Sequence, residues 1–194
     1  MAGGATGKVT LGTSPSLLTY GNTSTVSGAI STQQQNQRVV LQSRDCTSNA
    51  GFSTAATLST GTGGTFSATM TPLYNTVYQA QWKNATSSQA FVRVRPKISF
   101  VKLGAHRYRV RVRAATNFLG HYIALERRAG PQHFVVVKKL RLRAITRIGP
   151  NLETYVSGRF FKAAHLKRGR IRVVMRDSWT GPCYAAGMSR VIHT

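Results

Sequence analysis

The stretch Arg107-Tyr108-Arg109-Val110-Arg111-Val112-Arg113-Ala114 alternates cationic and apolar side chains over eight residues. Successive side chains on a strand point to opposite faces, so this spacing sends four guanidiniums one way and four apolar groups the other. Such a segment belongs in a sheet with one solvated face and one face packed on a core. Similar signals recur every 8–14 residues, separated by Gly, Pro, Ser, Thr and Asn. No window of useful length carries a helical period. The pattern predicts an all-β sandwich protein.

Strands are expected near 8–12, 17–20, 23–31, 37–44, 52–59, 64–71, 76–83 and 87–95, then near 97–103, 106–115, 120–128, 133–143, 153–161, 169–176 and 184–193. The two halves read as copies of one unit. Val39-Val40-Leu41-Gln42-Ser43-Arg44 aligns with Ile123-Ala124-Leu125-Glu126-Arg127-Arg128. Phe52 to Leu58 aligns with Phe134 to Leu140 and Val77 to Trp82 with Arg170 to Met175, and each half ends in a matching strand, Gln89 to Val94 and Ser189 to His193. A tandem repeat of about 95 residues accounts for this better than one large sheet. The expected domains are 1–95, rich in Ser, Thr and Gly, and 96–194, strongly basic. The Arg95-Pro96 junction should join them stiffly.

Charge separates the copies. Residues 1–95 hold six Lys or Arg and one acid, a net of +5, whereas residues 96–194 hold 21 and three, a net of +18. Four acids against 27 cations cannot drive self-assembly by charge complementarity, so an electrostatic partner must be another, anionic molecule.

The run Leu18-Thr19-Tyr20-Gly21, Val26-Ser27-Gly28, Gly64-Thr65-Phe66-Ser67, Pro72 and Tyr78-Gln79-Ala80-Gln81-Trp82 resembles the tandem immunoglobulin-like sandwich domains of secreted bacterial surface proteins, particularly actinobacterial ones. The resemblance covers residues 8–95 and, more weakly, 97–193. It implies two immunoglobulin-like domains of about seven strands each, serving as structural spacers, surface or adhesion modules, or virion decorations. It brings no catalytic residues.

Candidate partner-binding residues are Arg107, Arg109, Arg111 and Arg113 on the second strand of the second domain, Lys139, Arg141 and Arg143 on the fourth, and Arg170 and Arg172 on the sixth. An immunoglobulin-like arrangement would put the second and fourth strands in one sheet and the sixth in the other, making both outer faces cationic. The planar guanidinium fork suits phosphate and carboxylate oxygens. Readers of single-stranded nucleic acid add aromatic platforms beside such cations. Alternation here sends Tyr108, Phe134 and Phe160 toward the core, so nucleic-acid binding would be backbone-dominated, sequence-independent and steeply salt-dependent. Trp82 and Tyr78 should be core residues. Trp179 is either an exposed contact or a plug at the junction of the domains, the second being the preferred reading.

The two cysteines, Cys46 and Cys183, fall one in each domain. The immunoglobulin-like topology puts both at poles flanking the junction, where an interdomain disulfide is feasible, as are two unpaired thiols. The scattered acids offer no carboxylate pair for acid–base work. The five histidines have no paired metal-ligand spacing, and neither a nucleophile elbow nor a phosphate loop is present. No catalytic residue, cofactor, metal or small-molecule substrate is expected.

No apolar run is long enough for a transmembrane helix, and the first residues lack the apolar core of a signal peptide. The expected setting is extracellular or at a cell surface, with a leader removed, or on a virion. The function expected is a non-catalytic structural or adhesive module whose basic domain contacts a wall polymer, lipid head groups or another anionic surface. The alternative is a sequence-independent nucleic-acid binder. Exposed edge strands offer a route to self-assembly.

Overall fold

Alternation is converted into burial strand by strand. The computed structural model describes residues 7–150 and 153–194. The chain divides between Val94 and Arg95 into two compact units. The first contains β1 (Gly12–Ser14), β2 (Leu17–Thr19), β3 (Ser24–Ala29), β4 (Arg38–Asp45), β5 (Ser53–Ser59), β6 (Thr65–Met70), β7 (Thr76–Trp82), β8 (Ala85–Thr86) and β9 (Ala90–Arg95). The second contains β10 (Lys97–Gly104), β11 (Arg107–Ala114), β12 (Tyr122–Arg128), β13 (Phe134–Arg141), β14 (Ala144–Ile148), β15 (Thr154–Lys162), β16 (Arg170–Met175), the short helix α1 (Asp177–Thr180), β17 (Gly187–Met188) and β18 (Ile192–His193).

The same topology is built twice. In the first unit one sheet runs β1-β3-β6 and the other β2-β9-β7-β4-β5. In the second, one runs β10-β11-β15-β14 and the other β13-β12-β16-β17, with β18 also on β16. Strands aligned by sequence occupy matching places: β4 and β12, β5 and β13, and β7 and β16 form the same three neighbours in each copy. These are two tandem immunoglobulin-like β-sandwiches.

Each core is filled from both sheets. In the first unit Val9, Ile30 and Phe66 meet Val39, Ala80 and Trp82 in one buried cluster. Every second residue of β7 (Thr76, Tyr78, Ala80 and Trp82) is buried, as the period requires. Gly28 lies where β3 passes the chain at Thr10, and a Cβ there would sit 2.0 Å from the Thr10 carbonyl oxygen. In the second unit Tyr108, Val110, Val112 and Ala114 of β11 turn inward with Ile123, Leu125, Ile171 and Val173. Phe100, Tyr108 and Phe161 pack as a group with ring centroids 5.5–6.3 Å apart.

Two features depart from expectation. The stretch 133–143 is not one strand: Leu142 donates its N–H to His121, while the next residue, Arg143, donates to Gly158 on the other sheet. The chain changes sheets across a single peptide around buried Leu142, and then forms the unforeseen edge strand β14. Furthermore, the fourth strand, β13, does not share a sheet with the second. It closes a hairpin on β12 and lies in the sheet of the sixth. The short turn before His133, where Ala129 donates to the His133 carbonyl, enforces that pairing.

Candidate anion-binding faces of the second domain

On the first sheet, Arg107, Arg109, Arg111 and Arg113 form a column along β11, outward-facing throughout and opposite a fully buried set. The neighbouring strands add cations at both ends: Lys97 is level with Arg113, and Lys162 with Arg107. Phe160, level with Arg109, is 62% exposed. The Arg109 guanidinium lies 6.0 Å from its ring centroid. Phe160 is therefore not a core residue. Adjacent positions on a strand face opposite ways, so of Phe160 and Phe161 only Phe161 can enter the core, where it meets Tyr108.

The outer face of the second sheet is organised in rows across the strands. Arg172 on β16 stands opposite Glu126 on β12, and its Nε donates to Glu126 Oε2 at 2.9 Å. The same guanidinium covers the Phe134 ring at 3.9 Å, so Phe134 faces the cations rather than the core. Arg170 is level with His193 on β18. Arg170 and Arg172 flank buried Ile171, as the alternation requires.

Farther along this face, Lys139 Nζ lies 4.0 Å from the Tyr122 ring centroid and 5.2 Å from that of Trp179. Arg176 approaches the other side of the cluster, 5.4 Å from Trp179. The Trp179 carbonyl can only accept, so the 2.7 Å contact from His121 Nδ1 holds a proton on that nitrogen. This anchors α1 beside β12. Trp179 is thus part of the second domain's own aromatic–cation cluster, and Tyr122 stays 40% exposed within it. Arg141 Nε donates to the Gly120 carbonyl at 2.8 Å.

Lys139, Arg141 and Arg143 do not share one face. The first two belong to β13, whereas Arg143 follows the crossing at Leu142 and joins the side of β15. The candidates read from the sequence omitted Arg128, Arg176 and Tyr122, and Phe160 was sent to the core. Arg128 was legible, because it lies two positions past Glu126 and so on the same side of β12. Arg176 lies beyond its strand, where period two no longer applies.

Cys46 and Cys183 are both disulfide-bonded. Cys46 sits in a turn where the Asp45 carboxylate accepts from the Thr47 and Ser48 N–H groups. Cys183 sits in the segment after α1, where the Asp177 carboxylate accepts from the Ala186 N–H. Among the described residues, no group of three or more His, Cys, Asp or Glu is placed to hold a metal ion. Among the same residues, no helix is long and apolar enough to cross a membrane.

Neither a protein-family model nor a curated protein matches this sequence. Among solved structures, the chain is similar to a marsupial T cell receptor, at 11% identity over 96% of this chain and 99% of the receptor chain, with a TM-score of 0.34. It is similar to the tetra-tandem repeat in the extending region of a large adhesion protein, at 14% identity over 97% of this chain and 48% of that one, with a TM-score of 0.36. It is also similar to a purple acid phosphatase from yellow lupin (Lupinus luteus) seeds, at 11% identity over 95% of this chain and 40% of the phosphatase, with a TM-score of 0.40. Likeness at this level says nothing about activity or partners.

Proposed function

We propose that this chain is a non-catalytic structural or adhesive module of a cell surface, filament or virion, and that its second domain docks it on an anionic surface. The observation that carries this reading is the pairing of a cationic exterior with an unaltered sandwich core. The Arg107–Arg113 column and the Lys139–Arg172 face both point outward, and a net of +18 far exceeds what solubility needs. Disulfide-bonded cysteines fit an oxidising, extracellular setting. A wall polymer or a layer of lipid head groups presents the repeated anions that such a surface fits.

The exposed Phe160 beside Arg109 and the Tyr122–Trp179 cluster beside Lys139 favour a second reading, binding of single-stranded nucleic acid through stacking and phosphate contacts. A salt titration separates the two. Retention on anionic wall polymer or vesicles, with weaker binding to an oligonucleotide at every salt concentration, upholds the surface role; the reverse order upholds nucleic acid. For a nucleic-acid partner, changing Arg107, Arg109, Arg111 and Arg113 together to Gln should flatten the dependence of log affinity on log salt by about 3. A fully retained slope would remove the column from the interface.

A further inference from the structure

We infer that one end of the second sheet carries a discrete site for a phosphate group, formed by Arg128, Arg170, Arg172 and His193. This rests on the docking reading above and gives that surface a defined ligand chemistry.

These residues line a hollow of about 450 Å³ together with Pro131, Gln132, Phe134 and Val191. They come from three strands of one face. Arg127 on β12 is level with Ile171 on β16, so Arg128 and Arg170 are the next positions on the same ladder. Arg170 is in turn level with His193. The row therefore sets guanidinium beside guanidinium beside imidazole. Like charges directly across a sheet oppose folding, and among the described residues no carboxylate side chain lines the hollow. Glu126, nearby, is engaged by Arg172. A bound anion would supply the missing counter-charge.

The cations are also held in place. Arg128 Nε donates to the Gly130 carbonyl at 2.8 Å, and a second nitrogen of the same guanidinium donates to the Pro131 carbonyl. Arg172 is fixed between Glu126 and the Phe134 ring. Positioned guanidiniums lose less freedom on binding. Several donors arriving from different strands suit a tetrahedral dianion better than a planar, singly charged carboxylate.

The first domain supplies an internal control. The corresponding hollow there, about 360 Å³, is lined by Arg44, Val77, Phe91 and Arg93 but also by Asp45. Arg44 aligns with Arg128 and lies over Phe52, the counterpart of Phe134. Val77 stands where the second domain has Arg170, and Asp45 brings a negative charge into the lining. The fold makes this hollow in both copies, and only the second equips it for an anion.

The test uses the full, oxidised chain and inorganic phosphate, titrated at constant ionic strength with chloride as the balancing anion and followed by NMR at the Arg128, Arg170 and Arg172 guanidinium groups and the His193 ring. Saturable shifts centred on these groups are expected, with affinity falling at least tenfold in Arg170→Val and staying within twofold in Arg38→Gln of the first domain. Non-saturating shifts, equal shifts along the Arg107–Arg113 column, or unchanged affinity in Arg170→Val would overturn the site. If Arg170→Val proves unfolded by its amide spectrum, Arg170→Lys keeps the charge but loses the fork. A several-fold weakening then supports the site, and none refutes it. Glycerol phosphate and dimethyl phosphate as further ligands distinguish a terminal phosphate from a backbone diester. Salt-sensitive polyanion binding without a phosphate site would sink this inference alone. A phosphate site without polyanion binding would sink the docking reading instead.

Discussion

The two domains share a strand order and differ in what they present to solvent. Gln42 and Gln79 face each other across β4 and β7, joined by a 2.8 Å bond from Gln79 Nε2 to Gln42 Oε1. The equivalent positions of the second domain hold Glu126 and Arg172, joined at 2.9 Å. Likewise, β3 shows Thr25 and Ser27 outward, whereas its counterpart β11 shows arginines. The inward sets stay mostly apolar in both. The fold depends on which positions face inward and on their volume, and it tolerates either an uncharged or a cationic exterior.

The comparison can be broken at several points, beginning with the cysteines. Neither should react with a thiol reagent in denaturant without reductant, and two reactive thiols would contradict the disulfide-bonded state. Reduction should lower stability by at most about 4–5 kcal/mol, read from urea unfolding with and without reductant.

The cross-strand slot gives the next largest effect. Glu126→Gln leaves Arg172 facing Arg128 and Arg170 without its partner, and should cost about 2–3 kcal/mol in urea unfolding. Gln42→Ala in the first domain removes only a neutral bond and should cost about 1 kcal/mol. Adding Arg172→Gln to Glu126→Gln rebuilds the first domain's amide pair and should recover most of the loss. Equal costs at the two slots would show that their chemistry is not what separates the domains.

Alkali tests the buried tyrosines. Burial pushes Tyr78 up to about 12 and raises Tyr108 in the same direction. The unfolded chain ionises near pH 10 and the folded one later, so the unfolded state releases its proton first. Stability should therefore be full below about pH 10 and fall by roughly 2 kcal/mol through the Tyr78 window. Tyr78→Phe should remove the part of that loss due to the first domain, as followed by the tyrosinate absorbance alongside unfolding. The smallest stability effect belongs to Phe160→Ser, expected within about 0.5 kcal/mol of the parent because the ring is already in solvent. A larger loss would return Phe160 to the core. If the partner is single-stranded nucleic acid, the same variant should bind it roughly fivefold or more weakly.

Much of this architecture is legible in the sequence because period-two alternation and burial are the same fact seen twice. Residues 107–114 announce both β11 and its inward set. The internal alignment is equally telling: the segments that match by sequence occupy matching places in the two sheets. What alternation cannot reveal is where a strand stops. Leu142 and Arg143 continue the pattern of β13 through the crossing between sheets, so β14 was hidden and Arg143 was given the wrong neighbours. All five β14 side chains are exposed, and its two isoleucines, Ile145 and Ile148, are three positions apart, so no period-two alternation marks the segment. Paired aromatics hide a second ambiguity. Phe160-Phe161 requires one ring out and one in, and only the register against Tyr108 decides which. Phe134 was misplaced for a related reason, because composition marks aromatics as core whereas cation–π contact can hold them at the surface.

The interchange at the cross-strand slot also bears on how a duplicated domain can diverge. Two substitutions turn the amide pair into the ion pair, and neither alters a buried apolar residue. Electrostatic identity and foldability are thus written in separate sets of positions. One copy can take on a cationic exterior while its twin keeps a nearly uncharged one, and the scaffold need not be reinvented.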